Sequence, residues 1–256
     1  MEQIKVIYED KNFLVVYKPA GVLTHPIYLT HNAKQETKNN KNRKLRVSEN
    51  LIEWILKKYP EIKTVGDNPE IRPGIVHRLD KDTSGVILIA RNQKAFNFFK
   101  KIFQDRKIEK KYLALVYGEV KPKTGIINKP IYLKPGTIKR TVWEGKMKKA
   151  AITEYKTLKN IKYHISDNKE QIFSLLELFL KTGRTHQIRV HLASIGNPIV
   201  ADSLYAEKRN TFGLKRMFLH AESLEFSAED GKRIKIEAEL SEDLKNFLEY
   251  LGIKQF

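Results

Sequence analysis

Apolar positions recur along the chain with two different periods. Lys5-Val6-Ile7-Tyr8 and Phe13-Leu14-Val15-Val16-Tyr17 are strand-like runs on either side of the polar turn Glu9-Asp10-Lys11-Asn12, and Pro19 with Gly21 stops the second run. Leu51, Ile52, Ile55, Leu56 and Tyr59 follow helical spacing, which predicts an amphipathic surface helix with Ser48 as N-cap and Pro60 as its stop. A loop rich in Gly and Pro over 66–74 then precedes a strand at Val86-Ile87-Leu88-Ile89-Ala90 and a helix over about 93–103. Further strands are predicted at 112–117, 151–158, 173–180 and 233–240, with helical sequence at 186–194 and 242–251. Many strands separated by irregular helices predict an α+β fold on a mixed, mostly antiparallel sheet rather than a doubly wound one.

Two polar tracts interrupt this pattern. The stretch 30–46, which includes Lys38-Asn39-Asn40-Lys41-Asn42-Arg43-Lys44, holds too few apolar residues to order itself and is expected to be a flexible insertion. The segment 161–171 reads as a polar surface hairpin. With 256 residues the chain has room for one large domain or two small ones, and it is read as a single domain over 1–256.

Composition narrows the chemistry. There is no cysteine, which excludes a disulfide framework, a thiolate zinc site, an iron–sulfur cluster and a thiol nucleophile. No uninterrupted apolar run approaches the roughly 18 residues of a membrane span. The first residues lack the apolar stretch of a secretory signal, so a cytoplasmic protein without membrane association is expected. Lys and Arg number 48 against 30 Asp and Glu, a net charge of +18 that suggests a polyanionic partner. The excess is concentrated in 100–149, where 15 basic residues face 4 acidic ones. Solvated lysine-rich faces would account for the same composition, so charge alone divides evenly between the two readings.

His77-Arg78-Leu79-Asp80-Lys81-Asp82-Thr83-Ser84-Gly85 packs acid, base, hydroxyl and glycine into a loop just before an apolar strand, the kind of place where chemistry sits. Taken alone, Asp82 to Gly85 is also an ordinary turn, and Arg78 with Asp80 an ordinary surface ion pair. In Gly183-Arg184-Thr185-His186-Gln187-Ile188-Arg189-Val190-His191-Leu192, a polar turn opens an amphipathic helix whose Arg189 can reach a carboxylate on another element. A cation there would hold that carboxylate ionised. The alternatives are a structural ion pair for Arg189 and satisfied polar contacts for His186 and His191. These two histidines are five apart rather than four, with no evident third ligand, so no metal site is expected.

The run His77 to Gly85 resembles the HRLDxxTSG signature of RluA-type RNA pseudouridine synthases at every fixed position. Seven fixed positions at roughly one in twenty each make chance agreement on the order of one in a billion per start site. Lys18-Pro19-Ala20-Gly21 with His25-Pro26 resembles the family's KPxG…HP segment, and in Lys111-Tyr112-Leu113-Ala114-Leu115-Val116-Tyr117-Gly118 the run from Tyr112 resembles the YxAxVxG part of its KxYxAxVxG segment. Gly183 to Leu192, with Gly196-Asn197-Pro198-Ile199 and Asp202-Ser203-Leu204-Tyr205, resembles its GRTHQIRVHL…GxPIxxDxxY block.

The resemblance implies conversion of uridine to pseudouridine in ribosomal or transfer RNA without a cofactor, by one catalytic domain over 1–256 with no separate RNA-binding domain ahead of it; no metal is expected, and a monomer is the default because no self-complementary apolar stripe stands out. It implies Asp80 as the essential carboxylate, Tyr112 against the target base and Arg189 paired with Asp80. His77, Arg78, Lys111, Arg184, His186 and Gln187 are the candidate RNA contacts. Arg78, next to the catalytic position, is the candidate to fill the gap left by a flipped base. The rival reading is a catalytically silent RNA-binding or ribosome-assembly protein on the same fold. A nuclease using Asp80 and Asp82 would need a ligand cluster for its ions, and none is evident.

Overall fold

The computed structural model describes residues 2–25, 50–137, 139–166, 169–207 and 209–253. The expected insertion at 30–46 and the N-cap expected at Ser48 lie outside them. In chain order the elements are β1 (Lys5–Glu9), β2 (Phe13–Lys18), α1 (Leu51–Lys58), β3 (Ser84–Ala90), α2 (Gln93–Gln104), β4 (Glu109–Tyr117) and β5 (Thr124–Asn128). They continue with β6 (Ile131–Leu133), β7 (Arg140–Thr141), β8 (Lys146–Lys149), β9 (Ile152–Ser166), β10 (Lys169–Leu180), α3 (Gln187–Ser194), β11 (Leu219–Ser227), β12 (Arg233–Glu237) and α4 (Glu242–Tyr250).

Local chemistry explains the boundaries. The β1–β2 turn forms because the Asp10 carboxylate accepts the backbone N–H groups of Asn12 and Phe13, at 2.7 and 2.8 Å. Asn50 is the observed N-cap of α1, its side chain accepting the Glu53 N–H at 3.1 Å, and Asn92 caps α2 in the same way through the Ala95 N–H at 2.9 Å. Pro60 ends α1 as expected, and a 3-10 turn follows at Pro60–Thr64.

Among the described residues, nine strands form one sheet in the order β1-β2-β3-β11-β4-β10-β9-β5, with β12 attached to β11. Every pairing is antiparallel except β3 with β11, which meets the expectation of a mostly antiparallel α+β sheet. The strands β2 and β3 are buried at every position, which is why both read as continuous apolar runs. Of the polar segment 161–171, residues 161–166 and 169–171 form the outer part of the long β9–β10 pair. A small second sheet, β7-β6-β8, comes from the basic region and packs Ile131 and Val142 against Val190 of α3.

The strand β11 was not anticipated, and it supplies the parallel neighbour of β3. The two backbones come so close there that a Cβ on Gly85 would lie 2.0 Å from the Ala221 carbonyl oxygen. Gly85 itself has φ +120°, so glycine is required on both counts at the end of the His77 to Gly85 loop.

Candidate active site

The Asp80 loop is clamped from the β2 side. Lys18, at the end of β2, is fully buried and donates its ammonium protons to the carbonyls of Pro19, Val22 and Lys81 at 2.8, 2.9 and 3.0 Å. The Lys81 carbonyl also accepts the Gly21 N–H at 2.9 Å, and the Leu79 carbonyl accepts the Thr24 hydroxyl at 3.0 Å. Asp80 is thus flanked on both sides by backbone tied to the Lys18–Thr24 segment, which holds these two distant segments against each other. Burial pushes the Lys18 pKa down to about 7, against the pull of Asp82, so the three carbonyls are the support its charge needs.

Arg189 of α3 reaches Asp80 from the other side. Its Nη1 donates to Asp80 Oδ2 at 3.2 Å, while Nε and Nη2 form a forked pair with Asp202 at 2.7 and 2.8 Å. The Asp202 side chain is 0% exposed, and its Oδ1 also accepts the N–H groups of Leu204 and Tyr205. The Tyr205 ring stacks 5.2 Å from the guanidinium. Burial works against the charge of Arg189, but Asp202 and then Asp80 outweigh it and hold the group protonated beyond its ordinary range. Asp202 and Tyr205 therefore set the direction from which Arg189 meets Asp80. Both stand in a recognised block, yet the pattern alone assigns them no role.

Asp80, Tyr112 and Arg189 line one cleft of about 570 Å³. Tyr112 on β4 is buried, and burial followed by the negative charge of Asp80 pushes its phenol well above the usual range. It stands protonated at neutral pH and can donate a proton or pack against a ring, but it does not start as a base.

The other candidates fall into distinct places. Arg78 is exposed at the cleft, with Nη1 3.0 Å from His25 Nε2, and Arg184 lines it while donating to the Ala150 carbonyl at 3.1 Å. His186, in left-handed backbone at φ +56°, lies with Nδ1 3.1 Å from the Tyr205 hydroxyl. Gln187 is spent internally, accepting from Thr182 and the Arg184 N–H and donating to Ile152 and Thr153. Lys111 sits outside the cleft, bound to Glu222 at 2.9 Å and Glu177 at 3.4 Å. Side chains alternate along a strand, so Lys110 rather than Lys111 shares the cleft with Tyr112.

His77 forms a neutral wall of the cleft: its Nε2 accepts the Leu88 N–H at 2.9 Å and its ring stacks on Phe103 at 4.7 Å. Burial, aided by the Lys110 charge, pushes it down to about 3. Burial likewise pushes His220 of β11, between Ser84 and the Ala238 carbonyl, down to about 4. In the unfolded chain both titrate near about 6.5. Between about pH 6.5 and pH 4 the unfolded chain therefore binds more protons than the folded one. This stability is complete above about pH 6.5 and is lost as pH falls, by about 1.4 kcal/mol per pH unit for each histidine. Urea unfolding at about pH 7.5 and pH 5.5 is expected to show it, and equal midpoints would contradict the neutral assignments.

Among the described residues, no group of three or more His, Cys, Asp or Glu side chains is gathered closely enough to hold a metal ion. Among the same residues, no helix is long and apolar enough to cross a membrane.

Similarity to known proteins agrees with this geometry. The family described as RNA pseudouridylate synthase matches residues 12–194. An uncharacterized RNA pseudouridine synthase of Aquifex aeolicus is 41% identical over 209 residues, covering 81% of this chain and 58% of that protein. Ribosomal large subunit pseudouridine synthase D of Borreliella burgdorferi is 34% identical over 222 residues, covering 87% of this chain and 60% of that one. The chain thus spans somewhat less than two thirds of these two relatives; the synthase D of Buchnera aphidicola, 33% identical over 263 residues, is matched over 97% of this chain and 73% of its own. The human RNA pseudouridylate synthase domain containing 1 structure shares the fold, with a TM-score of 0.69, 22% identity and coverage of 98% of this chain and 95% of that one. The chain belongs to the RNA pseudouridylate synthase family and is of the RluA type.

Proposed function

We propose that this protein isomerises uridine in RNA to pseudouridine, with Asp80 as the essential carboxylate. The observation that carries this reading is the Arg189–Asp80 contact of 3.2 Å in a cleft also lined by Tyr112, with Arg189 itself locked by buried Asp202. In the reaction the bond between uracil N1 and the ribose breaks, the base turns, and its carbon 5 joins the same ribose carbon. The hydrogen leaves carbon 5 and N1 gains one, so nothing is oxidised or reduced and no cofactor is called for. Asp80 supplies the anionic oxygen at the reacting sugar and base, and Arg189 keeps it in place. Tyr112 positions the ring from a protonated phenol.

RNA is the partner, since a base that must turn has to leave its stack first. Asp80, Tyr112 and Arg189 line one cleft, which supports a single catalytic domain, and a monomer is the proposed state. The names of the large-subunit relatives favour ribosomal RNA as the substrate, and the cytoplasm is the proposed compartment. The test is carbodiimide mapping of ribosomal and transfer RNA, taken from cells lacking the protein, before and after incubation with it. New adduct stops at discrete uridines are expected in the ribosomal RNA. Stops confined to transfer RNA would move the substrate, and no new stops in either would overturn the reading.

Arg78, exposed beside Asp80, is proposed to take the space of the displaced base. Arg78→Ala is expected to lower kcat/KM by about 10- to 100-fold on structured RNA, the equivalent of part of the cost of unstacking. Unchanged affinity and turnover would remove Arg78 from that role.

A further inference from the structure

The cleft carries a group of cations that the reaction does not use. Lys110 of β4 is only 6% exposed, yet its ammonium has no carboxylate partner among the described residues. It sits 5.8 Å from the centre of the Phe103 ring, and the charges nearest to it in effect, Arg106 and Lys181, are of the same sign. Burial, followed by these two neighbours, pushes it down to about 8. Arg106 is held at φ +58° in the turn between α2 and β4, a strained conformation for a side chain of that size. Lys181 follows β10 and spends part of its charge on Glu154 at 3.0 Å. All three residues line both the Asp80 cleft and an adjoining groove of about 190 Å³, whose acids are Glu109 and Glu225. Glu225 is taken up by Arg233.

Two cations beside one buried ammonium repel it in the free protein, and an anion placed among the three would relieve the repulsion. An aromatic floor beside the ammonium excludes water and strengthens the attraction. We propose that Lys110, Arg106 and Lys181 form a phosphate subsite that grips one backbone phosphodiester of the RNA strand as it leaves the Asp80 cleft. This rests on RNA being the substrate. It gives the strand a direction across the protein, from the cleft over the α2–β4 turn. It also explains a buried lysine two residues before Tyr112: strand alternation places the phosphate grip and the base-positioning ring on one face.

The test uses Lys110→Met, which keeps the packing on Phe103 and removes the charge. Its control is Lys101→Met, which removes an equal charge from an exposed position of α2 outside the cleft. RNA binding is titrated across salt concentrations without turnover. Losing one phosphate contact should reduce the salt slope by about 0.7 to 0.9 and weaken binding by about 3- to 10-fold at moderate salt, with the control changing far less. In the absence of RNA, Lys110→Met should melt at a higher temperature than wild type. A lysine serving only to stack on Phe103 would show the reverse, with a lower melting temperature and an unchanged slope. Slopes that fall equally in both variants would also overturn the subsite. Because binding is read apart from turnover, a slope change with no uridine conversion by wild type would retain the subsite and reject the reaction.

Discussion

The Asp202→Ala variant is expected to lose about 3–5 kcal/mol of unfolding free energy, the usual cost of breaking a buried ion pair from one side. Asp202 is fully enclosed and accepts four hydrogen bonds, two from Arg189 and two from the backbone of its own turn. Removing it leaves a guanidinium that is 8% exposed with Asp80 as its remaining carboxylate. For a chain of this size the loss corresponds to a fall of roughly 6–20 °C in Tm. Turnover should fall as well, because Arg189 would meet Asp80 from an unsupported position. Asp202→Asn keeps the shape and part of the acceptor set, so a smaller loss of about 1–3 kcal/mol is expected. Urea unfolding with an unchanged m-value measures both, and a loss below about 1 kcal/mol for Asp202→Ala would show that Arg189 is not oriented by this pair.

The Asp80→Asn variant should behave in the opposite way, keeping its fold and losing its chemistry. The Asp80 side chain is 18% exposed and only one of the two carboxylates on Arg189, so stability should stay within about 1–2 kcal/mol of wild type. Turnover should fall by at least about 1000-fold, or about 4 kcal/mol of barrier, because an amide is neither an anionic nucleophile nor a charge stabiliser. RNA affinity should hold or rise by less than about tenfold, since a negative charge facing a polyanion is removed. That divergence separates an enzyme from a silent binder. A protein selected only to hold RNA gains by replacing Asp80, whereas an enzyme retains it at a cost in affinity.

Much of this architecture was legible in the order of the residues. Strands buried on both faces, β2 and β3, announce themselves as unbroken apolar runs, and α1 and α2 through their helical spacing. The strand β11 does not, because buried His220 and Ser223 interrupt its apolar pattern, and His220 is satisfied by Ser84 and Ala238 from distant parts of the chain. The strands β5 to β8 are too short, at five, three, two and four residues, for a two-residue period to show, and β8 is mostly lysine.

At the site, Asp80, Tyr112 and Arg189 could be named from their motifs, and one cleft does bring them together. The supporting residues could not. Lys18 acts on a carbonyl 63 positions away, and Asp202 depends on which face of α3 turns toward it. Lys110 was within reach of sequence reasoning, since the two-residue period of a strand puts it on the face of Tyr112 and sends Lys111 to the carboxylates behind.

The central claim is that Asp80 carries out the exchange of N1 for carbon 5, and the release of tritium from RNA labelled at uridine carbon 5 reads that exchange directly. Total RNA from cells lacking the protein is incubated with wild type, Asp80→Asn and Asp82→Asn, the last being an exposed carboxylate two residues away. The account predicts release by wild type and by Asp82→Asn, and none above background by Asp80→Asn. Release by Asp80→Asn at the wild-type rate, or by none of the three while RNA binding is intact, would contradict it.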